Sequence, residues 1–241
     1  MSDIREFLYG FLPHTLQSQL RRGKISQGGD AFVFDYGLLE ELKCESYSQH
    51  AQDAFIYNMI FGGKQQGTFL DIGANDPLHI NNTYLFEQHG WTGYAFEPIA
   101  SLADKWAKVR KTKCHQIVIG DCEDQVPFTQ RENIYFSHVG QAEDGGGHSY
   151  MVPQTCLTTF LNKEGKSKFD VAFIDVEGYE MNVLRGIDYN QTDITCICIE
   201  SSLGGVIKPR MDIREFLIDK GYRLVARLYF DDVFVKWSYF K

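Results

Sequence analysis

From residue 68 onward, short apolar runs alternate with amphipathic stretches about ten residues long, and this rhythm restricts the fold more than any other feature. Strands are expected at 68–72, 93–97, 114–119, 169–175 and 195–200, with helices over 81–89, 101–111, 179–185 and 212–220. Strands joined by helices of this length form right-handed βαβ units, and hence a mostly parallel sheet covered on both faces. Residues 222–230 and 233–239 alternate as strands do and predict a closing antiparallel hairpin around Asp231-Asp232. That makes seven strands in an α/β fold. Residues 1–65 read as a helical cap on the main domain at 66–241, and no linker composition separates the two. The hexamer Asp-Ile-Arg-Glu-Phe-Leu occurs at 3–8 and 212–217, each copy a helix start with an Asp cap and Glu three positions on. Residues 122–167 are the least regular stretch and read as an insertion with a few short strands.

In an open parallel sheet, ligands bind beyond the carboxyl ends of the strands. Those ends carry Asp71, Glu97, Asp121, Asp175 and Glu200. The first turn reads Asp71-Ile-Gly73-Ala-Asn75-Asp76-Pro77, with a glycine that lets a ligand approach the backbone. It lacks the G-x-G-x-x-G spacing of a dinucleotide site, and Asp71 and Asp76 would repel a phosphate. An ammonium or sulfonium ligand suits it better; the plain alternative is an acidic turn that caps the next helix. Glu97, before Pro98, ends the second strand where a carboxylate accepts hydrogen bonds from both ribose hydroxyls. Asp121 can accept from an adenine amino group, with the Cys122 amide beside it, or be an ordinary turn aspartate. A glycine turn, a ribose acid and an adenine acid together describe a site for S-adenosylmethionine.

Several blocks carry a more specific resemblance: Tyr47-Ser-Gln49-His-Ala-Gln-Asp53, Phe69-Leu-Asp71-Ile-Gly73-Ala-Asn75-Asp76, and Asn82-Thr83. They continue with Gly90-Trp-Thr-Gly-Tyr-Ala-Phe-Glu97-Pro98, Thr155-Cys-Leu-Thr-Thr-Phe-Leu161, Phe173-Ile-Asp175-Val-Glu177-Gly-Tyr-Glu180 and Val183-Leu-Arg-Gly186. In this order the chain resembles the FkbM family of S-adenosylmethionine-dependent methyltransferases over about residues 47–200. The resemblance implies a Rossmann-like class I methyltransferase fold and methylation of a hydroxyl, typically on a sugar of a glycan or a glycosylated metabolite. It implies that Asp71 and Gly73 face the methionine part, Glu97 the ribose and Asp121 the adenine, with Asn75, Pro98 and Cys122 also among the cofactor-binding residues. Asp175 would lie beside the methyl group, and Gln49 would close over the methionine end from a lid formed by the N-terminal segment. Pro77 and Cys156 depart from the family's commoner residues.

Asp175, Glu177 and Glu180 pack three carboxylates past a buried strand. Glu180 suits the first turn of the following helix, a structural role. Asp175 is the expected catalytic base, Glu177 orients the acceptor, shares that task or simply caps the helix, and His148 in the glycine-rich loop is the rival base. Asp175 with Glu200 is also a hard-oxygen pair of the kind that holds magnesium, but nothing in the sequence completes such a site and no metal is expected.

Net charge is −8, from 24 basic and 32 acidic residues, which argues against a nucleic-acid partner. No apolar run reaches the length of a membrane span. The start at Met1 lacks a basic, apolar leader, and the six cysteines include no C-x-x-C pair, so reduced thiols in the cytoplasm are expected. The expected partner is a hydroxyl-bearing small molecule or glycan. Methylation of nitrogen or of a peptide side chain, and a non-catalytic nucleoside-binding module, stay open as alternatives.

Overall fold

The computed structural model describes residues 25–28, 31–34, 45–142, 146–202 and 209–240. Among them, nine strands form the main sheet in the order β1-β2-β12-β13-β11-β10-β3-β4-β5. Its parallel centre is β11 (Asp193–Glu200), β10 (Lys168–Ile174), β3 (Thr68–Ile72), β4 (Thr92–Phe96) and β5 (Lys113–His115). The antiparallel hairpin β12 (Tyr222–Leu228) and β13 (Asp231–Lys236) extends it beyond β11. These seven strands correspond in order to those expected, but the sheet has nine strands rather than seven because an N-terminal hairpin joins it.

That hairpin, β1 (Ile25–Gly28) and β2 (Ala31–Phe34), corrects the helical reading of residues 1–65, since β2 pairs in parallel with β12. Part of the cap is helical: α1 (Gln52–Phe55) runs on into a π turn at Ile56–Ile60. The expected helix at 3–8 and the lid over most of residues 1–44 lie outside the described residues.

Alternation along each central strand sends side chains to two separate cores. Phe69, Phe173, Cys196 and Cys198 pack on one face under α1 and α2 (Tyr84–Gln88). Leu70, Ile72, Ala172, Ile174, Ile197 and Ile199 pack on the other. That second face is covered by α4 (Leu157–Lys163), α5 (Glu180–Arg185) and α6 (Met211–Asp219). A strand buried on both faces needs a continuous apolar run, which explains Val-Ala-Phe-Ile at 171–174. Removing the ring of Phe173, which is fully buried, should cost about 3–5 kcal/mol.

Two further expectations are corrected. The predicted strand at 114–119 is two strands: β5 ends at His115, and the chain crosses at Gln116-Ile117 into β6 (Val118–Gly120) of a second sheet. That sheet has the order β6-β9-β7-β8, with β7 (Asp124–Gln130), β8 (His138–Val139) and β9 (His148–Cys156). The closing hairpin turns at Tyr229-Phe230, not at Asp231-Asp232. Both aspartates are inside: Asp232 takes Arg214 at 2.7 Å and Arg227 at 2.7 Å, and Asp231 accepts from Gln52 Nε2 at 2.6 Å. Buried carboxylates with such partners belong to the strand, because exposure would forfeit those bonds.

Candidate active site

Beyond the carboxyl ends of β10, β3 and β4 lies a cavity of about 280 Å³. Its main-sheet wall begins where β3 runs into Gly73, whose φ is +85°. A Cβ at Gly73 would sit 1.7 Å from the Asp175 carbonyl oxygen, so only glycine lets β3 and β10 release their loops this close together. The Gly73 and Ala74 amides both donate to the Phe96 carbonyl at 3.1 Å, which ties this loop to the end of β4.

Asp71 is buried on the wall, and its Oδ2 accepts from the Thr83 hydroxyl at 2.6 Å. Burial pushes its carboxyl up to about 6, against the pull of Thr83 and of the Arg110 charge. Arg110 braces this region from behind: it donates to Thr83 at 3.2 Å, to Asn81 at 3.0 Å and to the Pro77 carbonyl at 2.8 Å. α3 (Ala100–Val109) contributes Lys105, which pairs with Asp76. Asp76 therefore spends its charge away from the cavity, contrary to the sequence reading of two acids facing the ligand.

Glu97 is also buried on the wall. Its two oxygens accept from the Asn75 amide at 3.0 Å and the Ile99 amide at 2.8 Å. Burial pushes this carboxyl up to about 7, partly offset by the two amides. Asn75, another lining residue, holds φ +42°, and its Oδ1 is buried with no hydrogen-bond partner among the described residues. Gln49 and Pro98 complete the expected set on this side.

Past β10, the backbone turns through Glu177 (φ +52°) and Gly178 (φ +101°). Glu180 is structural, as its position suggested: it accepts from the Gly178 amide at 2.9 Å and pairs with Arg210 at 2.8 Å. Asp175 and Glu177 face the cavity, and no hydrogen bond to either carboxylate is made within the described residues. Burial holds the Asp175 carboxyl well above the usual range, and the nearby charges of Glu200, Asp231, Glu177 and Glu180 push in the same direction. Asp231 faces Glu200 across the β11–β13 pair, and burial pushes it up to about 6. Sequence reasoning missed Asp231 because an Asp-Asp pair looks like turn chemistry; the alternation of Val233-Phe-Val235 after it was the available signal.

The remaining expected residues lie elsewhere. Asp121 leaves β6 at the surface, where it accepts from Asn182 Nδ2 at 3.0 Å, and it is not on the wall. Cys122 is exposed, its carbonyl accepting from Gln154 at 3.1 Å. His148 opens β9 opposite Gln130, exposed and with its ring against Tyr150 at 5.7 Å. It belongs to a strand pair rather than a swinging loop, and it does not reach the cavity. The opposite wall, which sequence reasoning did not find, comes from the second sheet: Val118, Phe128, Val139 and the turn from Asn133 to Ser137. No group of three or more His, Cys, Asp or Glu among the described residues is arranged to hold a metal ion. No helix among them is long and apolar enough to cross a membrane.

Compared with known proteins, residues 71–224 match the Methyltransferase FkbM domain model. A crystal structure of methyltransferase FkbM from Methylobacillus flagellatus KT superposes with a TM-score of 0.46 at 10% identity. The match covers 71% of this chain and 44% of that one, so this chain spans less than half of its length. No curated protein matches the sequence.

Proposed function

The chain belongs to the FkbM methyltransferase family, and from this premise we propose that it is an S-adenosylmethionine-dependent O-methyltransferase acting on a hydroxyl of a sugar, in a glycan or a glycosylated metabolite. The observation that carries the reading is the meeting of Asp71, Gly73, Glu97 and Asp175 on one cavity wall, from three adjacent strands. The residues fit a sulfonium nucleoside. A cradle that only glycine can line adjoins buried carboxylates, and the buried Asn75 Oδ1 has no donor among the described residues.

Bound there, the cofactor supplies an electrophilic methyl on a positively charged sulfur. Glu97 would accept from the ribose hydroxyls while its other lone pairs hold the Asn75 and Ile99 amides. Asp71, Asp175 and Glu177 set a negative field at the sulfonium end. The acceptor oxygen has to lie in line with the methyl, and the chain's main contribution is that alignment. Asp175 takes the hydroxyl proton during attack, which its raised pKa favours over an ordinary carboxylate. Titration calorimetry should show S-adenosylhomocysteine binding and no NAD binding. Mass spectrometry of host glycans with and without the protein should show a sugar that gains one methyl group; tight NAD binding, or methylation confined to protein, would overturn the reading.

A further inference from the structure

This inference rests on the cofactor reading, and it concerns the end of the cavity that reading leaves undescribed. The order β10-β3-β4-β5 gives the site a direction: Asp175 leaves β10, Asp71 and Gly73 leave β3, and Glu97 leaves β4. A nucleoside with its sulfur near Asp175 and its ribose on Glu97 carries its base onward, towards β5. There the chain has already crossed into the second sheet.

Among the described residues, the only acids that line the cavity are Asp71, Glu97, Asp175 and Glu177, all from the ends of β3, β4 and β10. Ile99, Val118 and Phe128, also lining residues, pack as one apolar cluster, with Ile134 and Val139 against it. The polar side chains of the adjoining turn are engaged within it: Asn133 Oδ1 accepts from the Tyr135 amide at 3.3 Å, and Ser137 Oγ from the Arg131 amide at 3.1 Å. The turn is thus fixed, and it presents two neighbouring rings on the cavity wall. Tyr135 is 36% exposed and Phe136 59%, and both line the cavity. Asp121, the residue that would read an exocyclic amino group, is bonded to Asn182 outside the cavity.

We propose that the second sheet holds the cofactor's base by stacking and shape, with Phe136 as the platform and Tyr135 beside it, and that no carboxylate reads its amino group. A π-face is common to every base, so stacking of this kind discriminates weakly between them. The site should accept a hypoxanthine in place of the adenine.

Calorimetry on the intact protein tests this. S-adenosylhomocysteine and S-inosylhomocysteine should bind wild type within about threefold of each other. Phe136→Ala should weaken both by about tenfold, and the exposure of Phe136 makes the variant safe to fold. Asp121→Asn should change neither. A tenfold preference for the adenosyl compound, or a tenfold loss in Asp121→Asn, would overturn the proposal in favour of polar reading. A silent Phe136→Ala would remove the platform. If wild type bound neither compound, the cofactor reading itself would fall, an outcome distinct from these contrasts.

Discussion

Carboxylates on the main-sheet wall fall into two groups that share chemistry and differ in their partners. Asp71 and Glu97 are held, one by the Thr83 hydroxyl and the other by two backbone amides. Asp175 and Glu177, one strand away, accept no hydrogen bond from the described residues and face further acids at Glu200 and Asp231. The held pair has its geometry before any ligand arrives, as a binding half requires. The unheld pair keeps its oxygens free and its proton affinity high, as a reacting half requires. Burial raises the pKa in both groups; the amides on Glu97 and the hydroxyl on Asp71 temper it, whereas on Asp175 its neighbours add to it.

The sharpest way to break this division is Asp175→Asn. Turnover should fall about 10²–10⁴-fold, the scale of lost acid–base catalysis, while S-adenosylhomocysteine binds within a few-fold of wild type. Equal losses in binding and turnover would move Asp175 into the binding half. Glu97→Ala should do the reverse, weakening the same ligand by at least about tenfold, since each hydrogen bond to a charged group is worth about 1.5–3 kcal/mol. An unchanged affinity in a folded variant would dissolve the binding half.

A smaller effect is expected in the ligand-free protein's stability. Asp71 and Asp231 are raised from 3.8 to about 6, and Glu97 from 4.5 to about 7. Between these values the folded chain binds more protons than the unfolded one. The stability these groups contribute is therefore full below pH 4 and is lost as pH rises to about 7. Denaturant midpoints at pH 5 and pH 7.5 should show the decline from these groups, and Glu97→Gln should lessen it. A slope identical in the variant would mean that Glu97 is not protonated on folding. The smallest effect belongs to His148→Ala: within about twofold of wild type in binding and turnover, as expected of an exposed residue. A large loss of turnover would place the proton acceptor on the second sheet after all.

Much of the main sheet was legible because its strands are buried on both faces and so carry unbroken apolar runs, as in Val171-Ala-Phe-Ile174. The strand-end rule then led to Asp71, Glu97 and Asp175, since position after a buried strand is a local property. What failed was non-local. The break between His115 and Val118 falls inside one stretch that reads as a single strand, and only the second sheet's pairing reveals it. β7 and β9 carry Pro127 and Pro153, residues that argue against a strand when read alone. Asp231 and Asp232 looked like a turn because their partners Gln52, Arg214 and Arg227 lie elsewhere in the chain or across the hairpin. Asp121 obeyed the strand-end rule, but its strand belongs to the other sheet and aims it elsewhere.

The pairing of β6 with β9 has a consequence of its own. Val118, Ile119 and Gly120 lie beside Gln154, Thr155 and Cys156, running in the same direction, so the excursion from 118 to 156 ends next to where it starts. An excursion closed in this way is a cassette. Its interior can be lengthened, shortened or replaced at a loop-closure cost that grows only slowly with length, while β5 and α4 on either side keep their seats. A lineage, or an engineer, can therefore recast one wall of the cavity and leave the acids of the other where they stand.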